Sequence, residues 1–150
     1  MENDKVLPEE GEVAGVAMAN RLAPSPRAAN RRILIVDDSP DNRFVFSNVL
    51  KIAGFQHIEE VADSRAAVET FRRFQPDLIL LDLRMPNLDG FDVLRLLRAE
   101  TSVPIVITSA DNSDETQGKA FELGATALFQ SFDMNELISI ACRLLDARES

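Results

Sequence analysis

Two short apolar runs in this chain stop abruptly at acid. Ile33-Leu34-Ile35-Val36 is followed by Asp37-Asp38, and Leu78-Ile79-Leu80-Leu81 by Asp82. Short continuous apolar runs are what a parallel sheet covered on both faces requires of its strands. Such strands deliver the residues that follow them to the carboxyl edge of the sheet, where open α/β sheets bind ligands. Three carboxylates gathered there make a poor core and a good site for a hard cation such as Mg²⁺, which prefers oxygen. A carboxylate held beside Mg²⁺ can also attack phosphorus, so the pattern predicts that Asp82 accepts a phosphoryl group.

The rest of the chain repeats the same alternation. Strands are expected at 32–36, 57–61, 77–81, 103–108 and 125–129, and helices at 40–53, 64–74, 90–99, 113–123 and 134–147. Ser39-Pro40 supplies an N-cap and a proline at the first helical position, where its missing N–H is no loss. Gly54 suits a C-cap. Gln75-Pro76-Asp77 separates the second helix from the third strand, and Asp133 with Glu136 resembles a capping box. Strict β–α alternation predicts an α/β fold, a single doubly wound (βα)5 domain around a parallel five-stranded sheet. We assign residues 31–150 to this domain. Residues 1–30, with Pro8, Pro24, Pro26, Gly11 and Gly15 and no sustained apolar period, are expected to be a flexible tail. The helix from Asn112 to Leu123 is the weakest, because it contains Gly118 and offers only Ala120, Phe121 and Leu123 as apolar contacts. It reads either as a polar surface helix or as an element poised to move.

Composition removes several function classes. A net charge of −9 opposes nonspecific binding to nucleic acid or anionic membranes, which need clustered cations. Single copies of histidine and cysteine exclude a zinc site. Cys142 is expected to be a packed thiol and His57 a strand-edge residue, not a phosphorelay histidine. The run Val13 to Ala19 follows three glutamates, unlike a secretory signal, and no stretch is long enough to span a bilayer. A cytoplasmic location is expected.

The motifs resemble the receiver domain of two-component response regulators. The resemblance rests on Ile33 to Asp38 and on Leu78 to Gly90, which contains Asp82-Leu83-Arg84-Met85-Pro86-Asn87-Leu88-Asp89-Gly90. It rests also on Pro104 to Ala110 and on Gly124-Ala125, and it covers about residues 31–147. It implies a flavodoxin-like strand order, 2-1-3-4-5. It implies that Asp82 is the phosphoacceptor, that Asp38 and Asp82 bind Mg²⁺ directly, and that Asp37 acts through a water. The backbone carbonyl of Arg84 matches the third protein ligand, and Ser109 matches the hydroxyl that bonds the phosphoryl oxygens. The implied partners are a sensor histidine kinase or phosphotransfer protein, and a downstream protein. The latter would meet the face formed by the fourth helix, fifth strand and fifth helix, which is also where a homodimer formed on phosphorylation would be sought.

One departure matters. Receivers carry Lys-Pro at the end of the fifth strand, whereas here the segment reads Leu128-Phe129-Gln130-Ser131-Phe132-Asp133. Gln130 or Ser131 occupies the lysine's place, and Leu128 or Phe129 the place of the usual aromatic. Three carboxylates with Mg²⁺ sum to −1, so the incoming phosphoryl group meets an uncompensated negative site. Gln130 and Arg84 are the candidate phosphoryl contacts, Arg84 because its fork suits phosphate oxygens. Slower or less durable phosphorylation follows, together with weaker coupling to the output face. With no DNA-binding or catalytic module after Ser150, output is expected through protein contact or from a domain absent from this chain. The chain is read as no enzyme beyond self-catalysed phosphoryl acceptance and loss. A pseudo-receiver, a constitutive interaction module without switching, is the alternative. A hydrolase using an aspartyl-phosphate is disfavoured because Arg84 stands where it needs a second acid, and a flavin carrier because Asp37-Asp38 replaces its phosphate cradle.

Overall fold

The computed structural model describes residues 23–130 and 133–147. Strands β1 (Arg32–Val36), β2 (His57–Val61), β3 (Leu78–Leu81), β4 (Ile105–Ile107) and β5 (Ala127–Leu128) form one parallel sheet in the order β2-β1-β3-β4-β5. The helices are α1 (Pro40–Ala53), α2 (Ala67–Phe74), α3 (Gly90–Arg98), α4 (Asp114–Glu122) and α5 (Met134–Asp146). A 3-10 turn, Ser64–Ala66, precedes α2. The expected doubly wound α/β fold is therefore observed.

Side chains alternate across a strand, and the central strands are buried on both faces. Ile33, Ile35, Leu78, Leu80 and Val106 pack with Phe46 and Leu50 of α1 and Leu137, Ala141 and Leu145 of α5. Leu34, Val36, Ile79, Leu81 and Ile105 pack with Phe71 of α2, Val93, Leu94 and Leu97 of α3, and Ala120 of α4. These two cores use every side chain of β3, which explains a run with no polar member. The α4 contribution is small: Ala120 is wholly buried, whereas Phe121 is 49% exposed. Lys119 adds a cation–π contact, its Nζ lying 4.3 Å from the Phe91 ring centroid.

Element ends differ from the sequence reading for local reasons. β4 starts at Ile105 because Pro104 has no N–H for the ladder; its carbonyl still accepts from Ile79 at 3.0 Å. β5 is two residues long, with flanking bonds from Thr126 to Ile105 and from Phe129 to Ile107. The cap is as expected at Ser39, whose side chain accepts from Asn42 N–H, and Asp133 caps α5 by accepting from Asn135 N–H.

The sequence places the start of the domain at Arg31, but helical structure begins before it. Pro26–Ala29 form a helical turn capped by Ser25, and Ala28 is completely buried in the α1/α5 core. Ser25 Oγ donates to Asp146 at 2.6 Å, Arg27 donates to the Asp146 carbonyl, and Gln56 N–H donates to Ala29 O. Two adjacent buried alanines, Ala28 and Ala29, and these polar ties leave no apolar period to read. The remainder of the expected tail, residues 1–22, lies outside the described residues.

Candidate functional site

Asp37 is delivered by β1 and fixed by the start of α1. Its carboxylate accepts from Ser39 N–H at 2.9 Å and from Asn42 Nδ2 at 3.2 Å, and its carbonyl accepts from Arg43 at 2.8 Å. Asp82 is delivered by the neighbouring β3. Its N–H bonds to Val36 O, and its Oδ1 accepts from Arg84 N–H at 3.2 Å. The backbone of residue 84 is thereby folded against the acceptor carboxylate. Asp38 completes the group and is the most open of the three. One oxygen from each of Asp37, Asp38 and Asp82 lies within 4.8 Å of the others. The donor set, three hard carboxylates and no nitrogen or sulfur, fits Mg²⁺.

Burial first, and the proximity of Asp37 second, push the Asp82 carboxyl up to about 6. Burial likewise raises Asp37, against the opposing bonds from Ser39 and Asn42.

Ser109 lies two residues beyond the end of β4 and is buried on the same rim. With Asp82, Arg84, Thr108 and Gln130 it lines a hollow of about 270 Å³. Its Oγ accepts from Asp111 N–H at 3.2 Å, which leaves the hydroxyl proton available to a ligand in the hollow. Gln130 lines this hollow too, but its amide is engaged elsewhere: Nε2 donates to Asp111 O at 3.2 Å, and Oε1 accepts from Gln117 at 3.3 Å. Ser131, the other candidate for the lysine's place, lies outside the described residues. Of the two candidates for the aromatic position, Phe129 is buried edge-to-face against Phe46, whereas Leu128 faces the α2–α4 core. Arg84 turns its guanidinium to Asp111, 3.5 Å away.

Residues 33–141 match the response regulator receiver domain family. The chain belongs to that family. The DNA-binding response regulator MtrA of Mycolicibacterium smegmatis is 36% identical over 110 residues, which are 73% of this chain and 48% of that protein. The regulatory protein AtoC of Escherichia coli is 36% identical over 120 residues, 78% of this chain and 26% of that protein. The receiver domain thus spans about half or less of the length of these curated relatives. Among solved structures, chemotaxis protein CheY4 of Vibrio cholerae is 28% identical with a TM-score of 0.71, over 77% of this chain and 98% of that one.

Sequence reasoning missed three residues that shape this receiver. Asn42 orients Asp37, and its only signal is its place in the first turn after Ser39-Pro40. Ser64, 1% exposed, ties the loop after β3 to the turn before α2. Asp111 joins Ser109, Gln130, Arg84 and α4, and its signal was its position two residues past Ser109. His57 is exposed at the start of β2, and Cys142 is half-buried against the α1/α5 core, its thiol raised to about 11 by burial. No helix among the described residues is long and apolar enough to cross a membrane.

Proposed function

We propose that this receiver is a phosphoryl-accepting switch in a two-component phosphorelay, with Asp82 the acceptor. The observation that carries this reading is the convergence of the Asp37, Asp38 and Asp82 oxygens within 4.8 Å of one another, beside the buried Ser109 hydroxyl. An Asp82 oxygen forms a P–O bond as the P–N bond to a donor phosphohistidine breaks, and the bonding pair stays on the imidazole nitrogen. Bound Mg²⁺ would offset the charge of the three acids and of the loose transition state. Asp38 and Asp82, with the carbonyl of Arg84, would hold it directly, and Asp37 through a water. Asp37 is kept in place by Ser39 and Asn42. Ser109 donates its hydroxyl to a phosphoryl oxygen.

The donor is a sensor histidine kinase or phosphotransfer protein in the cytoplasm. Output runs through a protein partner on the α4–β5–α5 face, where a second copy of the chain can also meet it. No chemistry is assigned beyond self-catalysed acceptance and loss of the phosphoryl group. With Gln130 in the region of the usual lysine, acceptance is slow, and Gln130→Lys is expected to speed it.

Intact mass after incubation with acetyl phosphate and Mg²⁺, with Asp82→Asn alongside, tests the reading. A metal-dependent gain of one phosphoryl group that the variant lacks supports it. The engagement of the Gln130 amide by Asp111 and Gln117 favours a second reading, a pseudo-receiver acting as a constitutive interaction module. Failure of folded protein to gain mass, from acetyl phosphate and from a cognate kinase alike, would select that one.

A further inference from the structure

Among the described residues, Arg84 is the cation that lines the hollow holding Asp82 and Ser109. It also lines the adjoining hollow of about 290 Å³ with Asp111 and Thr116. Arg43, the other nearby cation, is turned to the Asp37 carbonyl and lies 3.4 Å from Glu60. Arg84 is loosely held. Its side chain is 71% exposed, and its ion-pair contact to Asp111 is long, at 3.5 Å.

Asp111 is the opposite case, a junction. Its Oδ1 accepts from Ser113 N–H at 3.0 Å and its Oδ2 from Thr116 Oγ1 at 2.8 Å, so it holds the first turn of α4. Its N–H donates to Ser109, and its carbonyl accepts from Gln130. Asp111 therefore links two pocket residues, Ser109 and Gln130, to the first turn of α4, beside the direct bond from Gln117 of α4 to Gln130 Oε1.

We propose that Arg84 leaves Asp111 for the phosphoryl group on Asp82, supplying the positive charge that the end of β5 does not, and that this exchange loosens the start of α4. The proposal rests on Asp82 being the acceptor. A phosphoryl group carries more charge than one carboxylate and presents paired oxygens that a guanidinium fork matches. Ser109 turns toward the same group, so Asp111 loses its cation and has its N–H partner drawn away together. α4 is the element least able to resist, since its apolar anchorage is Ala120 with partly buried Leu123. Phosphorylation then shifts a population of α4 positions.

The test follows Asp82 phosphorylation by intact mass, with acetyl phosphate and Mg²⁺, in the wild-type chain and in Arg84→Ala, Arg84→Lys and Asp111→Asn. Hydrogen exchange of residues 113–122 is read in parallel. Arg84 is exposed, so its variants fold, and thermal unfolding checks this. Arg84→Ala is expected to accept at least about tenfold more slowly and, once modified, to leave α4 exchange unchanged. Arg84→Lys restores part of the rate. Asp111→Asn frees Arg84, so it accepts no more slowly than wild type, and its unmodified α4 exchanges faster. Wild-type acceptance at a rate that Arg84→Ala leaves unchanged would overturn this proposal alone. No acceptance by the wild type would overturn it together with the reading of Asp82.

Discussion

The Ser64 hydroxyl donates to the carbonyl of Pro86 at 3.0 Å and accepts from Leu88 N–H at the same distance. One buried side chain thereby satisfies both arms of the loop that follows the acceptor, around Asn87 at φ 71°. Ser64→Ala strands both groups, a loss of about 1–3 kcal/mol. Urea unfolding is expected to show it as a lower midpoint with an unchanged slope.

Asp82 gives the metal-free protein a pH signature. Its carboxyl is raised in the folded state from an ordinary 3.8 to about 6, by burial first and Asp37 second. The neutral form is therefore the one that favours folding. Its contribution is full below about pH 4 and is lost as pH rises through about 6. Asp82→Asn removes the penalty. In chelator, the variant is expected to be more stable than wild type above pH 6, by about 1–2 kcal/mol after allowance for solvent screening, and no more stable below pH 4. Mg²⁺ should shrink the difference by stabilising the ionised wild type. Equal urea midpoints for the two chains at pH 7 in chelator would refute this.

Much of this fold is legible in the sequence because apolar runs and their terminal acids obey strict local rules. β1 and β3 are buried on both faces, so their sequences cannot alternate, and Asp37, Asp38 and Asp82 had to emerge at one edge. The 40–53 helix is bounded by Ser39-Pro40 and Gly54, and the structure keeps both ends. What escaped is held by polar bonds between segments distant in sequence. Ser25 bonds to Asp146, Ser64 to Pro86 and Leu88, and Gln130 to Asp111. A serine or glutamine carries no periodic signal, so nothing local marks it as an anchor. The side-chain direction of Gln130 is of the same kind: composition showed a missing charge, and only the fold showed where the amide points.

Two glycines separate backbone need from mere tolerance. A Cβ on Gly118 would meet nothing within 4 Å, so Gly118→Ala should gain about 1 kcal/mol by helix propensity. A Cβ on Gly90 would lie 2.3 Å from Leu83 Cα, at the close approach where α3 leaves the acceptor loop. Gly90→Ala is expected to cost several kcal/mol. Thermal unfolding of both variants orders them, and a stabilised Gly90→Ala would show that this approach is not fixed.

Arg98 offers the strongest test of how the β5 edge is held. Its guanidinium donates to the Gly124 carbonyl through Nε and Nη2, at 2.9 and 2.7 Å, and to Thr101 and Val103 through Nη1, at 2.9 and 2.8 Å. α3 is thus tied to the entries of β4 and β5 by carbonyls that no strand partner reaches. Burial lowers the arginine from its ordinary value, and these four acceptor contacts surround its guanidinium. A lysine keeps the charge and loses the planar fork, so it satisfies one carbonyl well and leaves the others short. Arg98→Lys is expected to lose about 2 kcal/mol in urea unfolding. Arg98→Met, which preserves only the packed stem, should lose more. If charge alone held this edge, Arg98→Lys would match wild type. If packing alone held it, Arg98→Met would match Arg98→Lys. The predicted order, wild type above Arg98→Lys above Arg98→Met, requires the fork.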